Sequence, residues 1–334
     1  MKKFHLYTII MGIFLLVFLI WKIGIKELLC NFSLLGWGLI PIILLEGVAD
    51  IFHSFAWKAC LPYSLRSIPF SKIFCIKMAG TSINYLTPTL DLGGEVTKGT
   101  LLAIDHQGPG IATGIIIDKL SFAFSKLLFV VIGSLTLLWD INLSFGIRIG
   151  MFVGSGILGA GILGFLIVQR SGRLGSIVRW LVNHNIGGSL IKKISTHITQ
   201  IDEELKQFYK ENPHNLPISM LWHSLGFMCG IFQCWIFMLV LTGKSSFIIA
   251  AGIWLLGTWL DLVGFAIPTH IGVIEAGRVL VFKVMGFGSS LGLTFGLALR
   301  IEQLFWAVVG LLIYMWYILK THNKNRDKEV EKLI

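Results

Sequence analysis

Two short stretches place prolines, glycines, acids and bases close together in a chain that is 55% hydrophobic. The first is "PTLDLGGEVTK" at residues 88–98, and the second is "PTHIGVIEAGR" at residues 268–278. In both, Pro-Thr is followed by five residues, a glutamate, two residues and a base. Aligning the stretches at one constant offset pairs Pro88 with Pro268, Thr89 with Thr269, Glu95 with Glu275, and Lys98 with Arg278.

The bases of these stretches have the chemistry to bind an anion. Lys98 would contact a phosphate as a point charge, and Arg278 could contact it through two parallel N–H bonds. Helix N-termini at the breaks would add partial positive charge, and Glu95 and Glu275 would hold a cationic group or a proton. The alternative is a structural role. A glutamate three residues before a base shares a helix face with it, so each pair could be a local ion pair whose only role is to hold its hairpin together.

Other polar residues lie in or near apolar segments, where a charge at the bilayer centre costs about 2.5–3.5 kcal/mol and therefore needs a partner or water. Gly93 and Gly94 allow close approach of the backbone, and Asn84 can cap or hydrogen-bond within the first hairpin. The candidate residues for substrate binding or translocation are Asn84, Pro88, Gly93, Gly94, Glu95, Lys98, Asp118, Lys119, Pro268, Gly272, Glu275, Arg278, Arg300 and Glu302.

A third group of polar residues, Glu46, Asp50 and His53, falls at i, i+4 and i+7 and therefore shares one helix face. These side chains could form a proton path, a metal site, or counter-charges for Lys98 and Arg278. A metal would need further ligands that the pattern does not provide. We therefore expect neither a metal nor another cofactor.

The elements that must position these residues are apolar helices. The mean hydropathy is +0.79 and charged residues make up 14% of the chain, against about 25% in soluble domains. Two weaker apolar regions, 70–104 and 247–287, each contain two short pieces separated by a proline-containing break. Both features predict an all-α polytopic integral membrane protein with two broken or re-entrant helix pairs. The long apolar segments are 4–21, 34–56, 111–138, 147–168, 217–241 and 289–318.

The order of segments predicts an internal duplication. If each broken pair is a re-entrant hairpin, each half crosses the membrane three times; if both pieces span, it crosses five times. Either number is odd, so the second half would be inverted relative to the first, and the two breaks would meet near the midplane. The segments that match at nearly the same offset as the two stretches are 34–56 with 217–241, 70–87 with 247–267, and 111–138 with 289–318.

The distribution of charge predicts location and orientation. The net charge is +10, which in a membrane protein indicates basic cytoplasmic loops rather than nucleic-acid binding. We expect a multi-pass protein of the cytoplasmic (inner) membrane with both termini cytoplasmic and the first helix retained. The predicted organisation is a single transmembrane domain at 1–320 with repeats at about 1–145 and 146–320, a cytoplasmic amphipathic insert at 170–213, and a charged cytoplasmic tail at 321–334.

Three stretches resemble the membrane domain of the lysylphosphatidylglycerol synthases and the flippase-like family built on it. They are "NYLTPTLDLGGEVTKGTLL", "DLVGFAIPTHIGVIEAGRVLVFKVMG" and "GLALRIEQLFWAVVGLL", and the last two are most similar to the branch associated with hopanoid biosynthesis. The resemblance covers nearly the whole chain and implies lipid handling or translocation. The positions that match the family motifs are Pro88, Gly93, Gly94, Glu95, Pro268, Gly272 and Glu275.

The resulting hypothesis is a lipid translocase that moves a headgroup through a polar cavity. The chain has only a short charged tail where synthases carry a soluble domain, so aminoacyl transfer is not expected. One alternative is a membrane enzyme or enzyme subunit in phospholipid or hopanoid biosynthesis, because acid–base pairs can also serve a lipid-transfer reaction. Another is a scaffold in an envelope-lipid pathway. The expected partners are a membrane lipid (phospholipid, hopanoid or polyprenyl-type) and a lipid-biosynthesis protein.

Overall fold

The computed structural model describes residues 2–87, 92–106, 110–140, 144–170, 210–211, 214–264 and 272–331. Within these ranges the regular structure is helical and contains no strand. Two short 3₁₀ turns, Gly36–Gly38 and Tyr63–Leu65, flank the third helix. The helices are α1 (Lys2–Ile23), α2 (Ile25–Leu35), α3 (Leu39–Cys60), α4 (Phe70–Leu86), α5 (Leu92–Ala103), α6 (Gly110–Asp140), α7 (Phe145–Arg170), α8 (Asn215–Thr242), α9 (Phe247–Gly264), α10 (Val273–Val284) and α11 (Ser289–Glu331).

Three helical stretches in the described ranges are long and apolar enough to cross a bilayer: Ile25–Cys60, Asn215–Thr242 and Ser289–Lys320. Their surfaces also carry exposed large apolar side chains, for example Val308 and Leu312 on α11. A soluble protein rarely leaves contiguous apolar surface of this kind in water. The prediction of an all-α membrane protein is therefore confirmed.

Each of the two weaker apolar regions contains a pair of helices, α4 with α5 and α9 with α10. Pro88 and Pro268 lie outside the described residues, as does nearly all of the insert predicted at 170–213. The inversion of the second half relative to the first remains a prediction. So do the repeat boundaries and the assignment of 321–334 as a cytoplasmic tail.

The bundle is organised around α3 and α8, which pack against each other. Around this pair, α11 packs on α3, α4 and α10, and α6 packs on α5, α8 and α9. The last helix of each predicted half thus contacts one of the broken pairs from the other half. These contacts enclose the polar faces of α3, α5 and α10 within the bundle.

Along α3, a polar middle separates two apolar ends. Near its N-terminus, Ile42 belongs to a cluster of buried apolar residues that includes Phe237 of α8. Near its C-terminus, Trp57 belongs to a second apolar cluster, formed mainly with α4, α5 and α6. About 22 Å of helix separates Ile42 from Trp57, at about 1.5 Å per residue. The acidic and basic residues between them are Glu46, Asp50 and His53.

The helices of the first broken pair approach each other at two glycines. A Cβ on Gly94 would clash with the backbone oxygen of Gly80, so no larger residue fits there without moving the helices. The Asn84 side chain accepts the Gly94 N–H at 2.5 Å, which satisfies a free amide near the start of α5. In the second pair, Gly272 precedes α10 with φ 76°, a conformation that glycine adopts without a Cβ penalty.

Candidate functional site

Two polar cavities adjoin in the middle of the bundle, with volumes of about 230 Å³ for the first and 220 Å³ for the second. Glu46, His53 and Phe122 line both cavities and form the partition between them. The other ionisable or amide side chains of the first cavity are Asp50, Lys77, Asn84, Glu95, Lys98, Asp118, Lys119 and His223. Those of the second cavity are Lys126, Gln233, Asp261, Arg278, Glu302 and Gln303.

Lys98 is the buried cation of the first cavity. Its Nζ lies 2.6 Å from Glu95 Oε2 and 3.1 Å from Asp118 Oδ2, and it stands over the Trp57 ring at 4.9 Å from the centroid. The contact with Glu95 follows from i, i+3 spacing on α5, whereas Asp118 comes from α6. Two carboxylates from two helices therefore share one ammonium group.

Asp118 connects this ion pair to two histidines. Its Oδ1 lies 3.2 Å from His223 Nε2, and His223 Nδ1 lies 2.8 Å from His53 Nδ1. His223 is 2% exposed, while His53 is half-buried at the partition. A continuous line of polar contacts thus runs from Lys98 through Asp118 and His223 to the boundary of the second cavity.

Two further lysines balance acids in the first cavity. Lys77 of α4 forms an ion pair with Asp50 of α3. Lys119 lies 3.5 Å from Glu95 Oε1, with 41% of its side chain exposed. An exposed pair of this kind contributes little stability. The Asp50–Lys77 pair is well buried and joins the helix that carries the polar face to the first broken pair.

Arg278 is the buried cation of the second cavity, 4% exposed. Its Nη2 donates to Asp261 Oδ2 at 2.8 Å, and its guanidinium lies 5.7 Å from the centroid of the Trp254 ring. Its Nε and Nη1 have no hydrogen-bond partner among the described residues. A buried N–H without an acceptor is costly. These two groups of Arg278 are therefore suited to donate hydrogen bonds to an anionic oxygen of a bound molecule.

The second cavity also contains buried carboxylates. Glu302, 2% exposed, accepts a hydrogen bond from Gln233 Nε2 at 3.1 Å. The same amide nitrogen donates to the Ile42 carbonyl oxygen at 3.0 Å, so Gln233 joins α11 to α3. Glu46 lines the same cavity. This end of the cavity can hold a cationic group, while Arg278 can hold an anionic one.

The contacts of Glu275 differ from those of Glu95. It is completely buried and lines neither of the two cavities. Its Oε1 accepts a hydrogen bond from Nε of Arg300 on α11 at 2.9 Å and also lies 2.9 Å from Nη2 of the same guanidinium. Glu275 therefore holds α10 against α11 rather than pairing with Arg278.

The candidates predicted from the sequence are only partly brought together. The first cavity gathers Glu46, Asp50, His53, Asn84, Glu95, Lys98, Asp118 and Lys119, and the second adds Arg278 and Glu302. Gly93, Gly94, Gly272, Glu275 and Arg300 line neither cavity, and Pro88 and Pro268 lie outside the described residues.

Six acidic, basic or amide lining residues were absent from the predicted set: Lys77, Lys126, His223, Gln233, Asp261 and Gln303. Each is a polar residue within an apolar segment, and the cost of placing such a residue in hydrocarbon is the signal that could have found it. Among the described residues, no three His, Cys, Asp or Glu side chains are arranged to hold a metal ion.

Comparison with known families gives an independent result. Residues 6–311 match the family described as "Lysylphosphatidylglycerol synthase TM region". Searches of curated proteins and of solved structures found no match to the chain. The matched range includes every residue that lines the two cavities. The chain therefore belongs to the lysylphosphatidylglycerol synthase transmembrane-region family, a family of membrane proteins connected with lipids.

Proposed function

We propose that the protein is a lipid translocase that moves a lipid headgroup through the two cavities while the lipid tails stay in the bilayer. The observation that carries this proposal is the burial of Lys98 and Arg278 in two adjoining cavities of a membrane-spanning bundle. Charges at this depth are costly and usually mark the path of a polar substrate. Two cavities that share Glu46, His53 and Phe122 in their linings would provide such a path.

The size of the cavities favours a headgroup over a whole lipid. Their volumes are about 230 and 220 Å³, below the range of about 300–1,000 Å³ that is usual for drug-sized ligands. Each contains both acids and bases, which suits a zwitterionic or anionic headgroup. The tails would remain against the exposed apolar side chains of the outer helices, such as α11.

Arg278 is the preferred first contact for the headgroup phosphate. Its Nε and Nη1 are unpaired among the described residues, so a phosphate oxygen would satisfy them without first breaking a protein contact. Lys98, in contrast, is already held by Glu95 and Asp118. A phosphate must compete with these carboxylates before it can bind in the first cavity.

The proposal includes an arrangement in the membrane. Residues 1–320 form one transmembrane domain of two inverted repeats, in the cytoplasmic membrane with both termini inside. The contacts of α6 with α9 and of α11 with α4 support it, because each half packs on the broken pair of the other. The family description names a phospholipid product, so phospholipids are the first lipids to test; hopanoid and polyprenyl-type lipids follow.

The test is reconstitution of the purified protein into liposomes that contain a fluorescent anionic or zwitterionic phospholipid. A membrane-impermeant quencher reports the sidedness of the lipid, and mass spectrometry reports its chemical identity. We expect the wild-type protein to move the lipid without converting it. Conversion would indicate the membrane-enzyme alternative, and movement no faster than in protein-free vesicles would overturn the proposal.

Variants localise the activity to the cavities. Glu95→Gln and Arg278→Gln should each lower movement at least about tenfold, which corresponds to about 1.4 kcal/mol of lost stabilisation. Glu27→Gln is the matched control, because Glu27 is exposed on α2 and lines neither cavity. Full activity in both cavity variants would mean that the buried charges only stabilise the fold.

A further inference from the structure

Three side chains from three helices lie in a row between the cavities, joined by one hydrogen bond and by one 3.2 Å contact that lacks hydrogen-bond geometry. Asp118 of α6 lies 3.2 Å from His223 Nε2, and His223 of α8 contacts His53 of α3 through their Nδ1 atoms at 2.8 Å. Asp118 and His223 line the first cavity only, whereas His53 lines both. The His53 imidazole also lies against Gly226, a residue of the second cavity: a Cβ on Gly226 would be 2.5 Å from His53 Cε1.

The proton positions in this line follow from its chemistry. A carboxylate only accepts hydrogen bonds, so the proton facing Asp118 must be on His223 Nε2. With both imidazoles neutral, His223 Nδ1 is then an acceptor, and His53 Nδ1–H donates to it. His53 Nε2 is then the unprotonated nitrogen of that ring, at the partition between the cavities.

Aromatic rings surround the histidine pair. Phe122 stands edge-on to His223, with ring centroids 5.2 Å apart, and also contacts His53 at 5.3 Å. Phe227 contacts His53 from α8 at 5.3 Å. The two imidazoles, in contact through their Nδ1 atoms, therefore lie among aromatic rings at the boundary of the two cavities.

We propose that Asp118, His223 and His53 form a proton relay that couples proton movement to headgroup binding at Lys98. This inference rests on the proposed function, since it assigns the energy coupling of the same cavities. A proton that binds His53 Nε2 is matched by transfer of the Nδ1 proton to His223 Nδ1. His223 then passes its Nε2 proton to Asp118, which becomes neutral, so one proton has moved from the partition to the first cavity.

Protonation of Asp118 would change the state of Lys98. In the unprotonated state two carboxylates, Glu95 and Asp118, hold its ammonium group. When Asp118 is neutral, the ammonium is balanced by Glu95 alone and can accept a headgroup phosphate more readily. Release of the proton restores the second carboxylate and favours departure of the phosphate.

The other charged groups around the relay come from most of the elements that enclose it. They are Glu46 and Asp50 of α3, Lys77 of α4, Lys98 of α5, Lys126 of α6, Asp261 of α9 and Glu302 of α11. Glu95 of α5, Lys119 of α6 and Arg278 of α10 line the same cavities. Acids and bases thus surround the relay from both cavities.

The test uses full-length protein in liposomes that enclose a pH-sensitive dye and contain the fluorescent phospholipid. With one proton moved per lipid, a gradient of about one pH unit should sustain up to about a tenfold asymmetry of the lipid between leaflets. His223→Gln and His53→Asn keep a polar group at each position but cannot pass a proton. Both should keep a leaflet ratio near one and admit protons no faster than protein-free vesicles.

The outcomes separate this inference from the proposed function. His214→Asn is the matched control, because His214 is exposed and lines neither cavity; it should behave as wild type. A wild-type lipid distribution that does not respond to the pH gradient overturns the relay and leaves translocation intact. The pH-sensitive dye tests the relay even where no lipid moves, because it reports the rate of proton entry. The relay is overturned if the wild-type protein admits protons no faster than protein-free vesicles, or if both histidine variants admit them as fast as the wild type. His53 is half-buried, so its variant preserves the test if His223→Gln fails to fold.

Discussion

Lys98 and Arg278 occupy matching positions in the two helix pairs, yet their surroundings differ. Lys98 is held by two carboxylates, Glu95 from its own helix and Asp118 from α6. Arg278 is held by Asp261 from α9, and two of its nitrogens have no hydrogen-bond partner among the described residues. The charge of Lys98 is balanced by carboxylates within the bundle, while Arg278 has N–H groups that could still bind an anion.

The difference arises from the helices that pack around each pair. When the alignment of the two stretches is extended along the chain, Asp118 corresponds to Ala298, Asp261 to Thr81, and Arg300 to Leu120. α6 therefore brings an acid to Lys98, whereas α11 brings a base to Glu275. The same local motif thus gives two sites of different charge, which is useful where a substrate must enter one site and leave through another.

The two glutamates should show the largest difference in stability. Glu275→Ala removes the partner of Arg300 from a fully buried site, and breaking a buried ion pair costs about 3–5 kcal/mol. Glu95→Ala leaves Lys98 paired with Asp118, so it should cost about 1–2 kcal/mol. The measurement is the free energy of unfolding in detergent. Equal losses would show that the two glutamates have the same structural role.

The next largest difference in stability should come from the close contact of Gly80 with Gly94 in the first helix pair. Gly80 and Gly94 bring the backbones of α4 and α5 together, whereas the aligned positions of the second half are Leu260 and Ile274. Gly94→Ala places its Cβ against the backbone oxygen of Gly80, far inside van der Waals contact. The substitution should destabilise the protein by about 1–3 kcal/mol through overpacking.

Gly277 of α10 provides the control for this prediction. A Cβ there would meet only Leu260 side-chain atoms, the nearest at 3.5 Å. Gly277→Ala should be neutral or stabilising by up to about 1 kcal/mol, because alanine favours the helix more than glycine does. Thermal unfolding of both variants makes the measurement. A Gly94→Ala variant as stable as Gly277→Ala would contradict the close approach of α4 and α5.

A smaller effect, on activity, should come from the shape of the second cation. Arg278→Lys keeps the charge but loses the planar fork that can bind two phosphate oxygens. We expect lipid movement to fall about tenfold, equivalent to about 1.4 kcal/mol, with little change in thermal stability. The concentration dependence of lipid movement and the melting temperature are measured on the same preparation. Unchanged movement would mean that Arg278 acts only as a counter-charge for Asp261.

The helices and their breaks could be predicted because bilayer thickness fixes the length of an apolar segment. The contact between Glu95 and Lys98 could also be predicted, since i, i+3 spacing on one helix places the two side chains together. The same spacing did not produce a contact between Glu275 and Arg278. There, Arg300 and Asp261 compete successfully from neighbouring helices, and such competition depends on tertiary packing.

The contact between His53 and His223 also depends on tertiary packing and could not be predicted from sequence spacing. The helical periodicity of α3 predicted that Glu46, Asp50 and His53 share a face, and all three line the first cavity. His223, which contacts His53, is 170 residues away in the chain. No spacing rule joins residues so distant, and the fit depends on Gly226, which leaves room for the His53 ring.

The smallest effect should come from making the first site resemble the second at one position. Leu299 is the residue of the second half that aligns with Lys119, so Lys119→Leu introduces the residue of the second half into the first. Lys119 is 41% exposed and lies 3.5 Å from Glu95. Solvent screening therefore limits the expected loss to below about 1 kcal/mol. Lys98→Leu, the matched change at the buried base, should cost about 3–5 kcal/mol because it removes the buried cation that Glu95 and Asp118 share. Denaturant unfolding of the two variants compares them directly. If Lys119→Leu cost as much as Lys98→Leu, the exposed Lys119 would be as important a counter-charge for Glu95 as the buried Lys98. That result would contradict a first site whose charges are balanced inside the bundle.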